Sequence, residues 1–260
     1  MGATLFYRST RRLTLTDAGQ AFHQSSKQVL LDLEEARVRA AGLQDHPSGT
    51  LRLTVSASFG PFVIGALRAY RDRWPDVHII ANVTDRMVDL VAEGQDLAIR
   101  IGRLADSPLC ARLIGRADRL VCASPGYVEA HGAPVMPDDL AGHDCLVFRA
   151  SPGHNVWRFR QGRRRWDVKA SGHFIGDDGP LLVQAARQGM GIVLAPRWLL
   201  GADLAAGRLV PLLTGYAPDP SETPVYAVHA YARFVPPKVR TFIDHLARRF
   251  QDERTWAQAG

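Results

Sequence analysis

Three short groups of residues have side chains that could serve catalysis or ligand binding. Ser56-Ala57-Ser58-Phe59-Gly60 contains two serines, but it lacks the leading glycine of a hydrolase nucleophile elbow. His143-Asp144-Cys145 has the letters of a catalytic triad, although adjacent residues cannot converge on one reacting atom. Asp177 and Asp178 form a carboxylate pair that suits metal or acid–base chemistry, but a polar helix start is the stronger interpretation, since aspartate there offsets the helix dipole. The sequence therefore predicts a protein that is not an enzyme and that holds no metal and no cofactor.

The composition is that of a folded chain with a basic balance. Of 260 residues, 46% are apolar and 22% are charged, which excludes wholesale disorder. Lysine and arginine number 32 against 26 acidic residues, and the formal net charge of +6 permits an acidic partner. The three cysteines have no CxxC spacing and suit a reducing compartment. No apolar run approaches the roughly 18 residues of a membrane span, so we expect a cytoplasmic protein with no membrane partner.

Strand and helix patterns alternate from residue 49 onward. Strands are predicted over 51–55, 77–83 and 97–101, where β-branched and other apolar residues dominate. Between them, an amphipathic helix is predicted over 62–74 and a short helix over 87–93. This βαβαβ order predicts a parallel, doubly wound sheet with right-handed crossovers.

The rest of the chain continues this mixture of elements. Further strands are predicted over 120–123, 145–148, 156–160, 166–170, 172–175, 191–195 and 225–229. Further helices are predicted over 125–131, 180–188 and 237–250. The arginine-rich run between residues 158 and 166 indicates a hairpin with its arginines in water and Phe159 and Trp166 packed inward.

The first fifty residues differ in character. Residues 5–15 predict a short hairpin or extended arm, and Thr16-Asp17 looks like a helix start with Gln20 in a capping-box arrangement. A helix is predicted up to Leu43, and its apolar seam at steps of four and three has one polar member. The seam consists of Phe22, Ser26, Val29, Leu33, Ala36, Ala40 and Leu43. It predicts pairing with a partner helix, the alternative being a single amphipathic helix on its own domain.

Several motifs occur in an order that resembles the LysR-type transcriptional regulators. They are Leu5-Phe6-x-Arg8-x-x-Arg11-Arg12-x-x-Leu15-Thr16-x-Ala18-Gly19, Asp85-Arg86-x-Val88-Asp89-Leu90-Val91-x-Glu93-Gly94-x-Asp96, Cys122-Ala123-Ser124-Pro125-x-Tyr127 and Gly189-x-Gly191-Ile192. No single motif is decisive, but the ordered combination spans essentially the whole chain. The resemblance implies an α/β effector domain of two subdomains, built like a type 2 periplasmic binding protein, preceded by a wing remnant and a long dimerisation helix.

The resemblance also implies domain boundaries and partners. The expected segments are a wing at 1–15, a linker helix at 16–44, and an effector domain at 49–260 with subdomain I at about 49–123 and 224–250 and subdomain II at about 125–217. The function would be a DNA-binding regulator that responds to a small-molecule effector and forms a homodimer or homotetramer. The alternative is a stand-alone small-molecule-binding module without sequence-specific DNA binding.

In that family, helices of a winged helix-turn-helix precede the wing. This chain begins almost at the wing, so we expect an N-terminally truncated form, a start assigned too late, or a true loss of those helices. Arg8, Arg11 and Arg12 of the wing would contact the phosphates or the minor groove of promoter DNA, or would form only a solvated basic arm.

An effector site is expected in the crevice between the subdomains, because open α/β sheets bind ligands beyond their strand ends. Ser56 and Ser58 lie where the first strand meets a helix, so backbone N–H groups and hydroxyls would bind an anion there or cap the helix. The resemblance adds Phe59 to this loop. Thr84 and Asp85 form a second wall.

Arg100 and Gly102 end the third strand on the same side of the crevice. Arg100 would clamp a carboxylate, or it would form an internal ion pair with Asp85 or Asp96.

The second subdomain contributes Asp177, Asp178 and Gly179, which precede a helix aimed into the crevice. The two aspartates would suit a hydroxylated or cationic group of the effector, or they would only cap the helix. The residues therefore predict the place of the site without its ligand.

Overall fold

The structure is a computed structural model. The residues it describes are 3–8, 13–23, 25, 26, 29, 33, 46–102, 104, 109–149, 155–230 and 235–252. Its strands are β1 Phe6–Arg8, β2 Leu13–Leu15, β3 Gly49–Val55, β4 Val77–Val83, β5 Leu97–Ile101, β6 Cys110–Ala123, β7 Cys145–Phe148, β8 Val156–Gln161, β9 Arg164–Lys169, β10 Ile175–Gly176, β11 Ile192–Pro196, β12 Val210–Leu212, β13 Ala217–Pro218 and β14 Glu222–His229.

The helices follow the same chain order. They are α1, described at residues 17–23, 25, 26, 29 and 33, then α2 Gly60–Arg73, α3 Pro125–His131, α4 Gly179–Arg187, α5 Arg197–Ala205 and α6 Pro237–Gln251. Two 3-10 turns span Ala57–Phe59 and Pro137–Gly142. Of the helices described, none combines the length and the apolar character that a membrane-spanning segment needs.

The N-terminal hairpin leads directly into α1. Strands β1 and β2 pair antiparallel. The cap is Thr16 rather than Asp17, because the Thr16 Oγ1 accepts a hydrogen bond from the Gly19 N–H at 2.9 Å and donates one to the Thr4 carbonyl at 2.7 Å. A Cβ at position 19 would lie 1.9 Å from the Leu5 carbonyl oxygen, so only glycine lets the hairpin pack on the first turn.

The predicted seam of α1 is described in part. The side chains of Phe22, Val29 and Leu33 are 44%, 63% and 63% exposed, so these large apolar side chains face solvent in large part. Ala36, Ala40 and Leu43 lie outside the described residues, as do Arg11 and Arg12, while Arg8 is described only as part of the β1 backbone. The dimer seam and the DNA contacts of the wing therefore stay predictions.

Lobe I is built around the parallel strands β4, β3 and β5, in that spatial order. The predicted strands 77–83 and 97–101 coincide with β4 and β5, and the predicted helix 62–74 corresponds to α2. The helix predicted over 87–93 is wrong, since residues 90–94 form turns instead. There the Asp89 carboxylate accepts the Ala92 N–H at 2.9 Å, a local bond that competes with a helix.

Strand β6 belongs to both lobes. Residues 110–118 pair antiparallel with β14, which also pairs with β5 of lobe I. Residues 119–122 pair antiparallel with β11, and 121–123 pair with β12, both in lobe II. The prediction recognised only the end of this strand, at 120–123, because its first ten residues alternate too irregularly between buried and exposed. The sheet is therefore continuous from one lobe to the other.

Lobe II is built around β10, β7 and β11, which run parallel, with β12 beyond β6. Helices α3 and α4 correspond to the predicted helices 125–131 and 180–188. Helix α5 was not predicted, and its N-cap residue Pro196 gives no side-chain capping bond that would mark a start. Strands β8 and β9 form the arginine-rich hairpin, and β13 pairs with β8 to complete a separate three-stranded sheet. Phe159 of β8 is fully buried opposite Trp166 of β9, as predicted.

The segment that enters lobe I is tied to it. The His46 Nε2 lies 3.1 Å from the Asp76 carboxylate, and the His46 ring meets Trp74 edge-on at 5.1 Å between centroids. The Gly49 N–H donates to the Asp76 carbonyl at 3.0 Å. Residues 46–49 therefore follow the position of lobe I.

The core of lobe I contains a hydrogen-bonded tyrosine that allows a stability test. The Tyr70 hydroxyl lies 2.9 Å from the Lys238 carbonyl oxygen and 2.8 Å from the Thr241 Oγ1, and the residue is fully buried between α2 and α6. We expect Tyr70→Phe to lower the free energy of unfolding by about 1–2 kcal/mol, because it removes bonds to buried polar groups. Urea denaturation followed by circular dichroism measures this.

The matched control is Tyr216→Phe, whose ring meets Trp166 in the peripheral sheet of lobe II. We expect a change below about 0.5 kcal/mol there, as for most substitutions away from buried bonds. Equal losses in the two variants would contradict the role given to the Tyr70 hydroxyl.

Candidate functional site

A cavity of about 550 Å³ lies between the lobes. Lobe I contributes Ser56, Ser58, Asp85, Ile101 and Gly102. Lobe II contributes Phe148, Gly179, Leu182, Val193, Leu194, Ala195, Pro196, Trp198 and Leu199. The strands that join the lobes contribute Arg119 and Thr223. Ser56, Ser58, Asp85, Gly102 and Gly179, five of the predicted site residues, thus meet in one cavity.

The chain topology explains why these residues converge. Ser56 follows β3 and Gly102 follows β5, while Phe148 ends β7 and Pro196 ends β11. Each pair of strands is part of a parallel set, so their carboxyl ends point to the same side of the sheet. The cavity lies in the crevice outside these carboxyl ends, the place where open α/β sheets bind ligands.

The turn at Ser56 is shaped by its backbone. The Ser56 N–H donates to the Ile99 carbonyl at 3.3 Å, and the Ser56 carbonyl accepts from the Phe59 N–H at 2.9 Å. The Ser56 side chain makes no capping hydrogen bond. Ser56 and Ser58 both line the cavity, and the Ser56 hydroxyl is not used to cap the helix.

Phe59, in contrast, is a core residue. Its side chain is fully buried, with ring centroids 4.8 Å from Phe62 and 5.5 Å from Trp198. Phe59 does not line the cavity, and it supports the turn from behind instead. The motif could not distinguish the two roles, because both place an aromatic residue after Ser58.

Arg100 and Thr84 also lie outside the cavity. The Arg100 guanidinium donates to the Thr84 carbonyl at 2.9 Å, the Thr54 Oγ1 at 3.2 Å and the Arg86 carbonyl at 3.2 Å. Burial lowers the pKa of Arg100, and the negative charge of Asp85 partly offsets this effect. Arg100 therefore fastens the segment after β4 to the sheet.

The predicted partner Asp96 is engaged elsewhere. Its carboxylate lies 2.9 Å from the Lys238 Nζ and accepts the Arg52 N–H at 2.9 Å. Of the two partners expected for Arg100, only Asp85 is close enough to affect its pKa.

The residues before α4 divide between capping and the cavity. The Asp178 carboxylate accepts the Leu181 N–H at 2.7 Å and caps the helix. Asp177 is exposed and does not line the cavity. Gly179 is buried, and a Cβ there would lie 2.9 Å from the Ser58 Oγ and 3.0 Å from the Leu199 Cδ1. A glycine at this position lets the two lobes approach closely.

A direct hydrogen bond joins the lobes beside Gly179. The Trp198 indole N–H of α5 donates to the Ser58 carbonyl at 2.9 Å, and the Trp198 side chain is buried against the core of lobe I. The Ser58 turn therefore contacts lobe II through both its carbonyl and its side chain.

Sequence reasoning missed Arg119, the cationic side chain of the cavity. Arg119 is where β6 passes from lobe I to lobe II, and its guanidinium contacts the Pro220 carbonyl at 3.4 Å. Burial lowers its pKa, so its charge is costly in this position. Among the described residues, no carboxylate lies within ion-pair distance of it. Recognising the full length of β6 in the sequence would have pointed to Arg119, since β6 joins the two lobes and Arg119 lines the cavity between them.

The part of the chain that is described contains no cluster of three or more histidine, cysteine or acidic side chains placed to hold a metal. The cysteines at 122 and 145 are buried, and burial raises the pKa of each thiol to about 12. These thiols are packing residues with little nucleophilic character.

Two α/β lobes around a crevice, joined by crossing strands, define a ligand-binding domain of the type 2 periplasmic-binding-protein class. A sequence profile of the LysR substrate binding domain matches residues 44–251. The chain is 32% identical over 264 residues to an HTH-type transcriptional regulator of Xanthomonas campestris, which covers 100% of this chain and 76% of that protein. It is 32% identical over 254 residues to the HTH-type transcriptional regulator DmlR of Escherichia coli, covering 97% of this chain and 82% of that protein.

A solved structure agrees with these sequence relatives. CrgA, a LysR-type transcriptional regulator from Neisseria meningitidis, is similar with a TM-score of 0.71 and 27% identity, over 96% of this chain and 85% of that chain. This chain therefore belongs to the LysR family of transcriptional regulators. The predicted fold class and family are confirmed.

The bond between the lobes can be tested through Trp198→Phe. Phenylalanine keeps a ring against Phe59 but removes the donor to the Ser58 carbonyl, so we expect a loss of about 1–2 kcal/mol in the free energy of unfolding. Urea denaturation monitored by circular dichroism measures it. As a control, Trp166→Phe alters a half-buried tryptophan of the hairpin, away from the cavity, and a larger loss there would contradict this assignment.

Proposed function

We propose that this regulator binds a small anionic molecule in the cavity between its lobes, and that occupancy changes the angle between them. The observation that carries the proposal is Arg119, a partly buried cation in the cavity with no carboxylate partner among the described residues. The effector response would act on DNA contacts through the oligomer, with no catalytic step. Family membership supports this, since the relatives are transcriptional regulators.

The balance of charge favours an anion. Asp85 is the acidic residue that lines the cavity, and it lies close enough to Arg100 to affect the pKa of that guanidinium. The negative charge of Asp85 therefore acts in part on Arg100, which lies outside the cavity. Arg119 is the cation of the cavity without a carboxylate partner among the described residues. A charge-assisted hydrogen bond to the carboxylate of a ligand would offset part of the free energy that its desolvation costs.

The walls favour a ligand with an apolar body. Phe148, Leu182 and Leu199 line one side, while the hydroxyls of Ser56 and Ser58 lie on the other. The volume of about 550 Å³ is in the range of small-molecule sites. We therefore assign the effector to the class of small organic carboxylates, with the carboxylate at Arg119 and the hydroxyls supplying further hydrogen bonds.

Ligand binding would couple to lobe closure through the Ser58 turn. This turn contacts Gly179 and Trp198 of lobe II and also lines the cavity, so a ligand that hydrogen-bonds Ser58 alters the same contacts that set the lobe angle. In an oligomer, a changed lobe angle repacks the subunits, which is a two-state mechanism biased by ligand.

The DNA and oligomer parts of the proposal depend on the N-terminal segment. The exposed Phe22, Val29 and Leu33 support pairing with a second copy of this chain, because three large apolar side chains on one helix stripe need a partner to exclude water. Arg8, Arg11 and Arg12 are the proposed DNA contacts, and we propose that the oligomer presents two such arms.

Arg119→Gln tests the ligand class. We expect acetate, succinate or benzoate to raise the melting temperature of the wild-type chain, and the best of these anions to bind about tenfold more weakly to the variant, or worse, because one charge-assisted bond is lost. Isothermal titration calorimetry gives the affinities. The control is Arg163→Gln at the exposed turn of the hairpin, which changes the net charge equally. Equal affinity of the two variants for this anion would contradict the proposed role of Arg119.

A DNA-binding titration tests the regulator function of this chain. The DNA is the intergenic region upstream of its own gene, compared with a scrambled duplex at 50 and 200 mM salt. We expect selective binding that weakens with salt, and a uniform loss of affinity in the Arg11→Ala, Arg12→Ala double variant, because each phosphate contact contributes to the salt slope. Binding that ignores sequence and vanishes at the higher salt would contradict it and favour a ligand-sensing module.

A further inference from the structure

A second groove lies at the opposite end of lobe II from the cavity. The cavity is lined by the carboxyl ends of β7 and β11, whereas this groove lies beside Gly189, which precedes β11, and Ser124, which follows β6. It has a volume of about 640 Å³. Its basic side chains are Arg187, at the end of α4, and Arg208, after α5, and we call it the Arg187–Arg208 groove.

One buried carboxylate holds both arginines. The Asp203 side chain is only 7% exposed, and its Oδ1 accepts from the Arg208 Nε at 2.6 Å and lies 3.2 Å from the Arg187 Nε. The Arg187 Nη1 also donates to the Gln184 Oε1 at 3.0 Å. The Arg208 Nη2 also donates to the Ala202 carbonyl at 3.4 Å. Both guanidiniums are thus anchored, although their side chains stay 36% and 47% exposed beside the groove.

The groove carries an excess of positive charge. Two guanidiniums share the single charge of Asp203, which leaves one positive charge, and no residue that lines the groove is acidic. In the described part of the chain, the Arg187 Nη2 and the Arg208 Nη1 have no protein acceptor. Paired, pre-oriented guanidiniums match the planar oxygens of carboxylate and phosphate groups.

The rest of the groove leaves room for the ligand. The Tyr127 ring stacks on His131 with centroids 4.4 Å apart, which fixes an aromatic wall. Gly126 lines the groove as well, and a Cβ there would meet nothing within 4 Å, so a side chain can be added at this position without a clash. The groove thus combines two anchored cations with an aromatic side and a glycine that can be replaced without a clash.

We propose that the Arg187–Arg208 groove is a second ligand site, which takes a small multivalent anion bearing carboxylate or phosphate groups. It is separate from the cavity at Arg119, since it shares no lining residue with it. Lobe II would then respond to two small molecules, one at each end of its parallel strands.

The test uses citrate and pyrophosphate as probes, titrated into the full 260-residue chain by calorimetry, with sodium chloride at matched ionic strength as the reference. Removing an arginine would leave Asp203 buried without its partner and could unfold the lobe. The variant is therefore Gly126→Glu, which puts a competing carboxylate in the groove where a side chain meets no obstacle. The matched control is Gly142→Glu, another unobstructed glycine of lobe II that does not line the groove.

We expect at least one probe to bind, its affinity to fall tenfold or more in Gly126→Glu, and Gly142→Glu to bind like the wild type. We also expect pyrophosphate, which is not an organic carboxylate, to bind Arg119→Gln like the wild type, which separates the groove from the cavity. Binding of citrate alone or of pyrophosphate alone supports the site and identifies its chemistry. Equal affinities in the two glutamate variants, loss of binding only in Arg119→Gln, or no heat above the chloride reference would each overturn the proposal.

Discussion

Strand β6 is the element on which the two-lobed structure depends. Its hydrogen bonds are divided between lobes, with residues 110–118 pairing with β14 and residues 119–123 pairing with β11 and β12. Because backbone hydrogen bonds on a sheet are difficult to exchange for water, neither lobe can leave this strand without breaking its own sheet. The lobes can twist about the strand but cannot separate.

The same strand explains the placement of charge in the cavity. Arg119 is the residue at which β6 passes from its pairing with β14 to its pairing with β11, and its side chain lines the cavity between the lobes. Arg100 is buried, and its guanidinium donates to three backbone and side-chain oxygens. Arg100 thus has a structural role, whereas we propose a ligand role for the half-buried Arg119, and it is the hydrogen-bond partners, not the residue type, that distinguish the two arginines.

Much of the fold could be predicted from local pattern, and the failures have physical causes. Strands β4 and β5 are short, apolar and flanked by turn residues, so periodicity alone located them. Strand β6 was predicted only in part, because it forms by pairing with strands that are distant in sequence. Helix α5 was not predicted, because no side-chain cap marks its start. Five of the predicted residues line one cavity because parallel strand ends converge there. Phe59 and Arg100 turn inward, which depends on side-chain packing that one sequence does not reveal.

The contacts of His46 attach the segment before β3 to one of the two lobes. Because His46 contacts Asp76 and Trp74, the described residues that lead into β3 are joined to lobe I. In the proposed ligand response, lobe I would therefore keep its position relative to residues 46–49, and lobe II would be the lobe that moves. A ligand at either end of lobe II would then act on the N-terminal segment through lobe I.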